Sequence, residues 1–204
     1  MKENSNNEKI QKIFKSNGGF ITRNNIDREN IPSWFLYDFI KRNKLIKISP
    51  GFYAVESFTI DDYYLLQKRY SKYIFSGLSA LYLLGLTDKI PVYKEVSAPQ
   101  SYNPSRKKID LLLIHKISNT DIYKYGIKEI KTMFGNIVKV YDEERTICDI
   151  IKHRNSFDTE TFLKAIKLYI SKVNNQAKLF KYARDLGIEK KVFEIMEVVL
   201  NAAD

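Results

Sequence analysis

The chain has 204 residues, 44% hydrophobic and 13% aromatic, which is ample for one large or two small folded cores. Its formal charge of +10 points to a polyanionic partner, and residues 1–56 carry only +4 of it, so the basicity is not confined to one end. A single cysteine, Cys148, excludes an intramolecular disulfide framework; with only His115 and His153 beside it, the numbers argue against a thiol–imidazole metal centre, and without a signal core or an apolar run approaching about 18 residues the chain reads as cytoplasmic.

In chain order, Ile10, Ile13 and Phe14 recur at helical spacing over residues 8–16, and Gly18-Gly19 ends that helix. Phe20-Ile21 is short and apolar enough for a strand, and Thr22 is a good N-cap for a brief helix through Arg28. Pro32 suits the first turn of a third helix, residues 32–43, in which Leu36, Phe39, Ile40 and Asn43 fall on one face. The opposite face carries Trp34, Tyr37, Asp38, Lys41 and Arg42, with Ser33 and Lys44 at its edge. Leu45, Ile46 and Ile48 form a short strand, Pro50-Gly51 a turn, and Phe52, Tyr53 and Val55 a return strand. Helix, helix, helix and two-stranded wing is the winged helix-turn-helix order. The plainer alternative is a core-facing helix and a hairpin whose lysines are only solvated.

Residues 57–204 read as a second, α+β domain. A helix over residues 57–69 is capped by Thr59, with Asp61 and Asp62 in its first turn, and a buried helix over residues 78–84 stops at Gly85. Strands are expected at residues 92–98 and at 109–115, the latter covered on both faces because Leu111 to Ile114 are all apolar. Residues 128–133 and 137–141 form a hairpin around Phe134-Gly135-Asn136, so four strands make a mixed sheet. From Asp142 the period turns helical: one helix to Arg154, one capped by Asp158 or Thr159 with Phe162, Ala165, Ile166 and Tyr169 as its stripe, then residues 176–186 and 190–200. The expected fold is therefore α+β, a winged helix-turn-helix over residues 1–56 followed by a mixed sheet with a helical C-terminal part.

Three stretches together carry a resemblance. They are Ser49-Pro50-Gly51-Phe52-Tyr53 at the wing, then Phe75-Ser76-Gly77-Leu78-Ser79-Ala80-Leu81 with Gly85-Leu86-Thr87-Asp88 and Ile90-Pro91, and finally Tyr141-Asp142-Glu143-Glu144-Arg145-Thr146-Ile147-Cys148-Asp149. Over residues 8–200 the chain resembles the AbiE-type antitoxin family of type IV toxin–antitoxin, or abortive-infection, systems. The resemblance implies an N-terminal domain that represses its own operon and a C-terminal domain that counteracts a nucleotidyltransferase-like toxin without a stable complex. Family wings often place a basic residue before the glycine, where this chain has Pro50, and Lys47 is the nearest substitute.

On the DNA reading the third helix enters the major groove, where base edges are distinguishable. Ser33, Trp34, Tyr37 and Lys41 are nearest the bases, and Arg23, Asn24, Arg42, Lys44 and Lys47 are placed for phosphates. Trp34 is equally consistent with packing against a neighbouring element. Two copies on an inverted-repeat promoter site are expected. Arg145 and Asp149 stand at i, i+4 and either form a local ion pair or, with Arg106, Lys107 and Lys108, an antitoxicity surface.

Other readings stay open. Asp110 with Glu129 and Lys131 resembles the carboxylate and Glu-x-Lys set of Mg²⁺-dependent nucleases, although an exposed hairpin edge in a lysine-rich chain explains Glu129 and Lys131 equally well. Arg106, Lys107, Lys108, Lys116, Lys124, Lys128 and Lys131 offer a second basic surface suited to RNA. The sequence holds no Ser-His-Asp arrangement, no phosphate-cradling glycine loop and no cofactor fingerprint, which favours a regulator over an enzyme.

Overall fold

Helix α1, Lys2–Ser16, begins the chain, and its apolar spacing buries Ile10 and Ile13. It starts some six residues earlier than the periodicity alone implies. In the computed structural model, which describes residues 2–17, 19–49, 51–55, 61–103, 111–173 and 175–201, the chain is a mixed α+β protein. The described residues form ten α-helices, one 3-10 turn and eight strands in two sheets. They divide into two compact units, Met1–Leu65 with Met133–Asn136, and Leu66–Thr132 with Ile137–Asp204. The boundary expected at residues 56 and 57 falls in 56–60, outside the described residues, as do the Thr59 cap and the turn residue Pro50.

In the first unit β1, Phe20–Thr22, leads into α2, Arg23–Arg28. Thr22 caps α2 reciprocally: its hydroxyl accepts from the Asn25 N–H at 3.1 Å, and the Asn25 side chain accepts from the Thr22 N–H at 3.2 Å. Helix α3, Ser33–Arg42, follows Pro32, whose missing N–H is no loss at a helix start. Strands β2, Leu45–Ser49, and β3, Phe52–Val55, pair antiparallel with a shift of register between Lys47 and Ser49, and β1 pairs with the other side of β3. One core holds this together: Ile10 and Ile13 of α1, Ile21 of β1, Ile26 of α2, Phe35, Leu36 and Phe39 of α3, and Leu45 of β2. Phe35, which the i, i+4 count from Leu36 passes over, is a full member at 2% exposure. Helix α4, Asp62–Arg69, starts where the Asp61 carboxylate accepts from the Tyr64 N–H at 3.1 Å.

The second unit has five strands rather than the four expected. They are β4, Ile74–Phe75; β5, Lys94–Pro99; β6, Leu112–Ile117; β7, Ile127–Lys131; and β8, Ile137–Tyr141, in the order β6-β5-β4-β8-β7. The sheet is mixed: β5 with β6 and β4 with β8 run parallel, β4 with β5 and β7 with β8 antiparallel. The additional strand, β4, is two fully buried residues at the centre. Strand β6 corrects the expectation of a strand covered on both faces, because it lies at a sheet edge with Leu113 46% exposed. Helix α5, Gly77–Leu83, packs on the sheet, and the short α6, Thr120–Lys124, is capped by Asn119, whose side chain accepts from the N–H groups of Asp121 and Ile122.

Helices α7, Glu143–Lys152, α8, Thr159–Lys172, α9, Gln176–Asp185, and α10, Glu189–Asn201, complete this unit. Their stripes meet α5 in one core containing Leu81, Leu86, Ile147, Ile150, Phe162, Ile166, Tyr169, Leu179 and Val192. Asp142 and Asp158 cap α7 and α8 through their carboxylates, as their positions in the sequence imply. Helix α7 ends at Lys152, two residues before the expected Arg154, because the chain tightens there into a 3-10 turn over Arg154–Ser156. No described helix is long and apolar enough to cross a membrane.

Candidate nucleic-acid interface

The apolar face of α3 fixes where its polar face points. With Phe35, Leu36 and Phe39 buried, Trp34 at 61% and Tyr37 at 58% exposure stand on the opposite side together with the exposed Ser33, Lys41 and Arg42. Trp34 meets the edge of Phe35 at 5.7 Å but is otherwise outward, so it is not a core aromatic of this unit. Arg42 is tied to Asp38 one turn back, an ion pair that keeps the guanidinium on this face. Asp38 is the one carboxylate within α3, and sequence reasoning assigned it no role. Lys44 ends the helix with φ of 48°, turning the chain into β2.

The start of α2 lies beside this face. The Arg23 N–H donates to the Gly51 carbonyl at 2.9 Å, and its guanidinium donates to the Ser33 hydroxyl at 3.5 Å. Gly51 has φ of 77°, and a Cβ there would sit 3.8 Å from the Arg23 Cβ; the turn between β2 and β3 therefore needs glycine for its dihedral rather than for room. Arg23, Asn24, Ser33, Trp34, Tyr37, Lys41, Arg42, Lys44 and Lys47 are all exposed on this unit. Arg23, Ser33 and the turn converge through the bonds just described. The result is a ridge with aromatic and basic groups and one paired carboxylate.

The second unit holds its charge differently. Arg145 of α7 is only 2% exposed. Its Nε donates to both Asp149 oxygens at 3.0 Å, its Nη1 donates to the carbonyls of Ile122 at 2.7 Å and Tyr125 at 3.1 Å, and its guanidinium stacks 4.4 Å over the Tyr141 ring. Burial pushes the Asp149 carboxyl above its usual range while Arg145 pulls it back. Gly126 permits this approach: with φ of 77°, a Cβ there would fall 2.8 Å from the Arg145 Cβ. Beside it Lys178 of α9 bridges Glu144 at 2.8 Å and Asp142 at 3.1 Å, and the Tyr182 hydroxyl donates to Asp142 at 3.1 Å. Burial works against the Lys178 ammonium, yet the two carboxylates hold its pKa above the usual lysine value.

This network corrects the sequence expectation for Arg145 and Asp149. They form the ion pair that their spacing implies, but it belongs to the interior, where Arg145 locks α7 to the C-terminal end of α6 and is not presented to a partner. Glu144 and Lys178, which sequence reasoning missed, are part of the same lock. The signal was a run of charges on the flank of a helix whose start is buried on several sides. Cys148 is fully buried, and burial pushes its thiol up to about 12, so it is no reactive thiolate at neutral pH.

Arg106, Lys107, Lys108 and Asp110 lie outside the described residues. Strands β6 and β7 are opposite edges of the sheet, four strand spacings or about 19 Å apart. Lys116 on β6 therefore stands at the edge of the sheet opposite to Lys128 and Lys131 on β7. Lys116 is held by the Tyr102 carbonyl and the Asn103 side chain, and Lys128 by Glu143 at 2.6 Å. Glu129 and Lys131 do share a face of β7, at its outer edge, with Glu129 opposite Lys139.

No protein-family model matches the chain, and no curated protein sequence matches it. Among solved structures it is similar to the crystal structure of the RV2827C protein from Mycobacterium tuberculosis, with a TM-score of 0.60 at 12% identity over 87% of this chain and 70% of that one. At that identity the likeness is one of fold.

Proposed function

We propose that this chain is a DNA-binding antitoxin: a winged helix-turn-helix over the first unit represses the protein's own operon, and the second unit counteracts a nucleotidyltransferase-like toxin without a stable complex. The observation that carries the DNA part is the outward face of α3, where Trp34, Tyr37, Lys41 and Arg42 stand opposite a buried apolar stripe and the β2–β3 hairpin follows as the wing. A helix of this width fits the major groove, with Ser33, Trp34, Tyr37 and Lys41 toward base edges. Arg23, Asn24, Arg42, Lys44 and Lys47 then serve phosphates, setting register and affinity. Two copies occupy an inverted-repeat promoter site. The antitoxin part rests on the sequence resemblance alone.

A gel-shift titration on the protein's own upstream promoter tests the DNA part, with wild type and a Tyr37→Ala/Lys41→Ala variant at two salt concentrations. Wild type is expected to bind tightly and selectively, weakening steeply with salt, and the variant to lose at least about tenfold in affinity. If wild type and variant bind all DNA alike, α3 is not the specificity element. The antitoxin part is tested by co-expression with the adjacent gene, where growth arrest that this chain fails to relieve would end it.

A further inference from the structure

Strand β6 closes one edge of the five-stranded sheet. On its β5 side, the Leu111 carbonyl accepts from the Lys94 N–H at 2.8 Å and the Ile117 carbonyl from the Gln100 N–H at 2.9 Å. Backbone groups of alternate strand residues point to opposite sides. Odd-numbered residues here therefore turn their main chain toward β5, and Leu112, Ile114 and Lys116 turn theirs outward. Among the described residues no strand lies beyond them. Such an edge is a template for another strand unless it is blunted.

The side chains at the same end of this edge are apolar and uncovered. Ile90 is 70%, Val92 69% and Tyr93 57% exposed in the segment entering β5, and Leu111 is 55% and Leu113 46% exposed where β6 begins beside it. Taking roughly 200 Å² for a large side chain, they leave on the order of 600 Å² open, at the upper end of what a monomer's largest patch shows. A second copy laid antiparallel along this edge would cover Leu111 and Leu113 with the far end of its own β6, and the two-fold would repeat that burial at the other end of the seam.

We propose that β6 is a dimerisation edge, at which two copies pair antiparallel about Ile114 and continue the sheet across a two-fold axis. A two-fold partner must be self-complementary, and this strand is. With Ile114 opposite itself, Leu112 of one copy faces Lys116 of the other, so all three outward residues pair and form about six main-chain hydrogen bonds. Leu113 then lies diagonal to Leu113 of the second copy, and no like charges meet directly. The net charge of +10 on each chain opposes association, and salt screens it, so the dimer tightens as salt rises. That is the reverse of the trend for DNA binding, and the inference is independent of the DNA reading.

The test is sedimentation equilibrium of the full chain at two salt concentrations, with wild type and a Leu111→Asp/Leu113→Asp variant, joined to amide hydrogen exchange at low and high protein concentration. Both leucines are exposed, so the variant is expected to keep its circular dichroism. Wild type should show a dimer of the 23.9 kDa chain that strengthens with salt, and the variant a dimer weakened at least about tenfold. The Leu112, Ile114 and Lys116 amides should gain protection at high concentration. A wild-type monomer up to about 200 µM overturns the proposal. So does a dimer that the variant leaves intact, or wild-type amides whose exchange ignores concentration, a readout that stands even if the variant misfolds.

Discussion

Replacing Arg145 by Met asks whether the buried network of the second unit holds the fold together. Methionine fills much of the volume and donates nothing. The Asp149 carboxylate loses both contacts with Nε, and the Ile122 and Tyr125 carbonyls lose Nη1. Removing one partner of a buried pair costs about 3–5 kcal/mol. The Asp149 side chain is 21% exposed, so water reaches it and the lower end, about 3 kcal/mol, applies. With a urea slope near 2 kcal/mol/M, the midpoint of unfolding followed by far-UV circular dichroism falls by about 1.5 M. A fall below about 0.5 M would mean that Arg145 acts as an ordinary surface partner and not as half of a buried pair.

A pH arm sharpens this test. Burial already holds the Asp149 carboxyl above its usual value of 3.8, and losing Arg145 raises it further. A carboxyl raised in the folded state favours folding while protonated; that contribution is complete below the unfolded value and is lost as pH rises through the folded one. The deficit of Arg145→Met is therefore smaller at pH 4 than at pH 7. Equal deficits at both would exclude Asp149 as its source.

Other substitutions probe separate features. Gly126→Ala puts a Cβ against Arg145 at a positive φ and is expected to destabilise by about 1–3 kcal/mol in the same urea assay, whereas an unchanged midpoint would mean that the chain relaxes there freely. Thr22→Ala removes the reciprocal cap of α2 and should lose about 1 kcal/mol, with Thr22→Ser recovering most of it. Cys148 should resist a thiol reagent such as dithionitrobenzoate until the protein unfolds; rapid reaction of the native chain would contradict its burial. Lys89 holds the Asp158 carboxyl below its usual range, so that contribution is present above the unfolded value and lost as pH falls through the folded one. Asp158→Asn should accordingly flatten the acid limb of the stability profile, measured by thermal melts from pH 2 to 7.

Legibility in the sequence followed the strength of local signals. Caps at Thr22, Asp142 and Asp158 are single-residue chemistry and stood out, as did the β7–β8 hairpin around Gly135. The polar face of α3 was readable because helical period alone separates Trp34, Tyr37 and Lys41 from Leu36 and Phe39. Strand β6 was misread because a run of leucine and isoleucine looks the same at a buried centre and at an apolar edge; only the sheet order separates the two. Strand β4 escaped because two residues carry no period. Arg145 was read as a surface group because spacing finds its partner on α7 but not the carbonyls 20 and 23 residues away.

The two residues of β4 are also the seam of the larger sheet. On one side lies the β5–β6 pair, on the other the β7–β8 hairpin, and β4 joins them in the sheet where Ile74 faces Ser97 and Phe75 faces Val96 and Val140. The hairpin is local in sequence and can form early, whereas the Phe75–Val140 contact closes roughly 65 residues of chain and pays its loop entropy late. Loop entropy therefore places the joining of the two ribbons at β4 after the closing of the hairpin. Among the described residues β4 is the one strand that pairs with both ribbons, so replacing Phe75 by a small side chain loosens the sheet at its middle rather than at an edge.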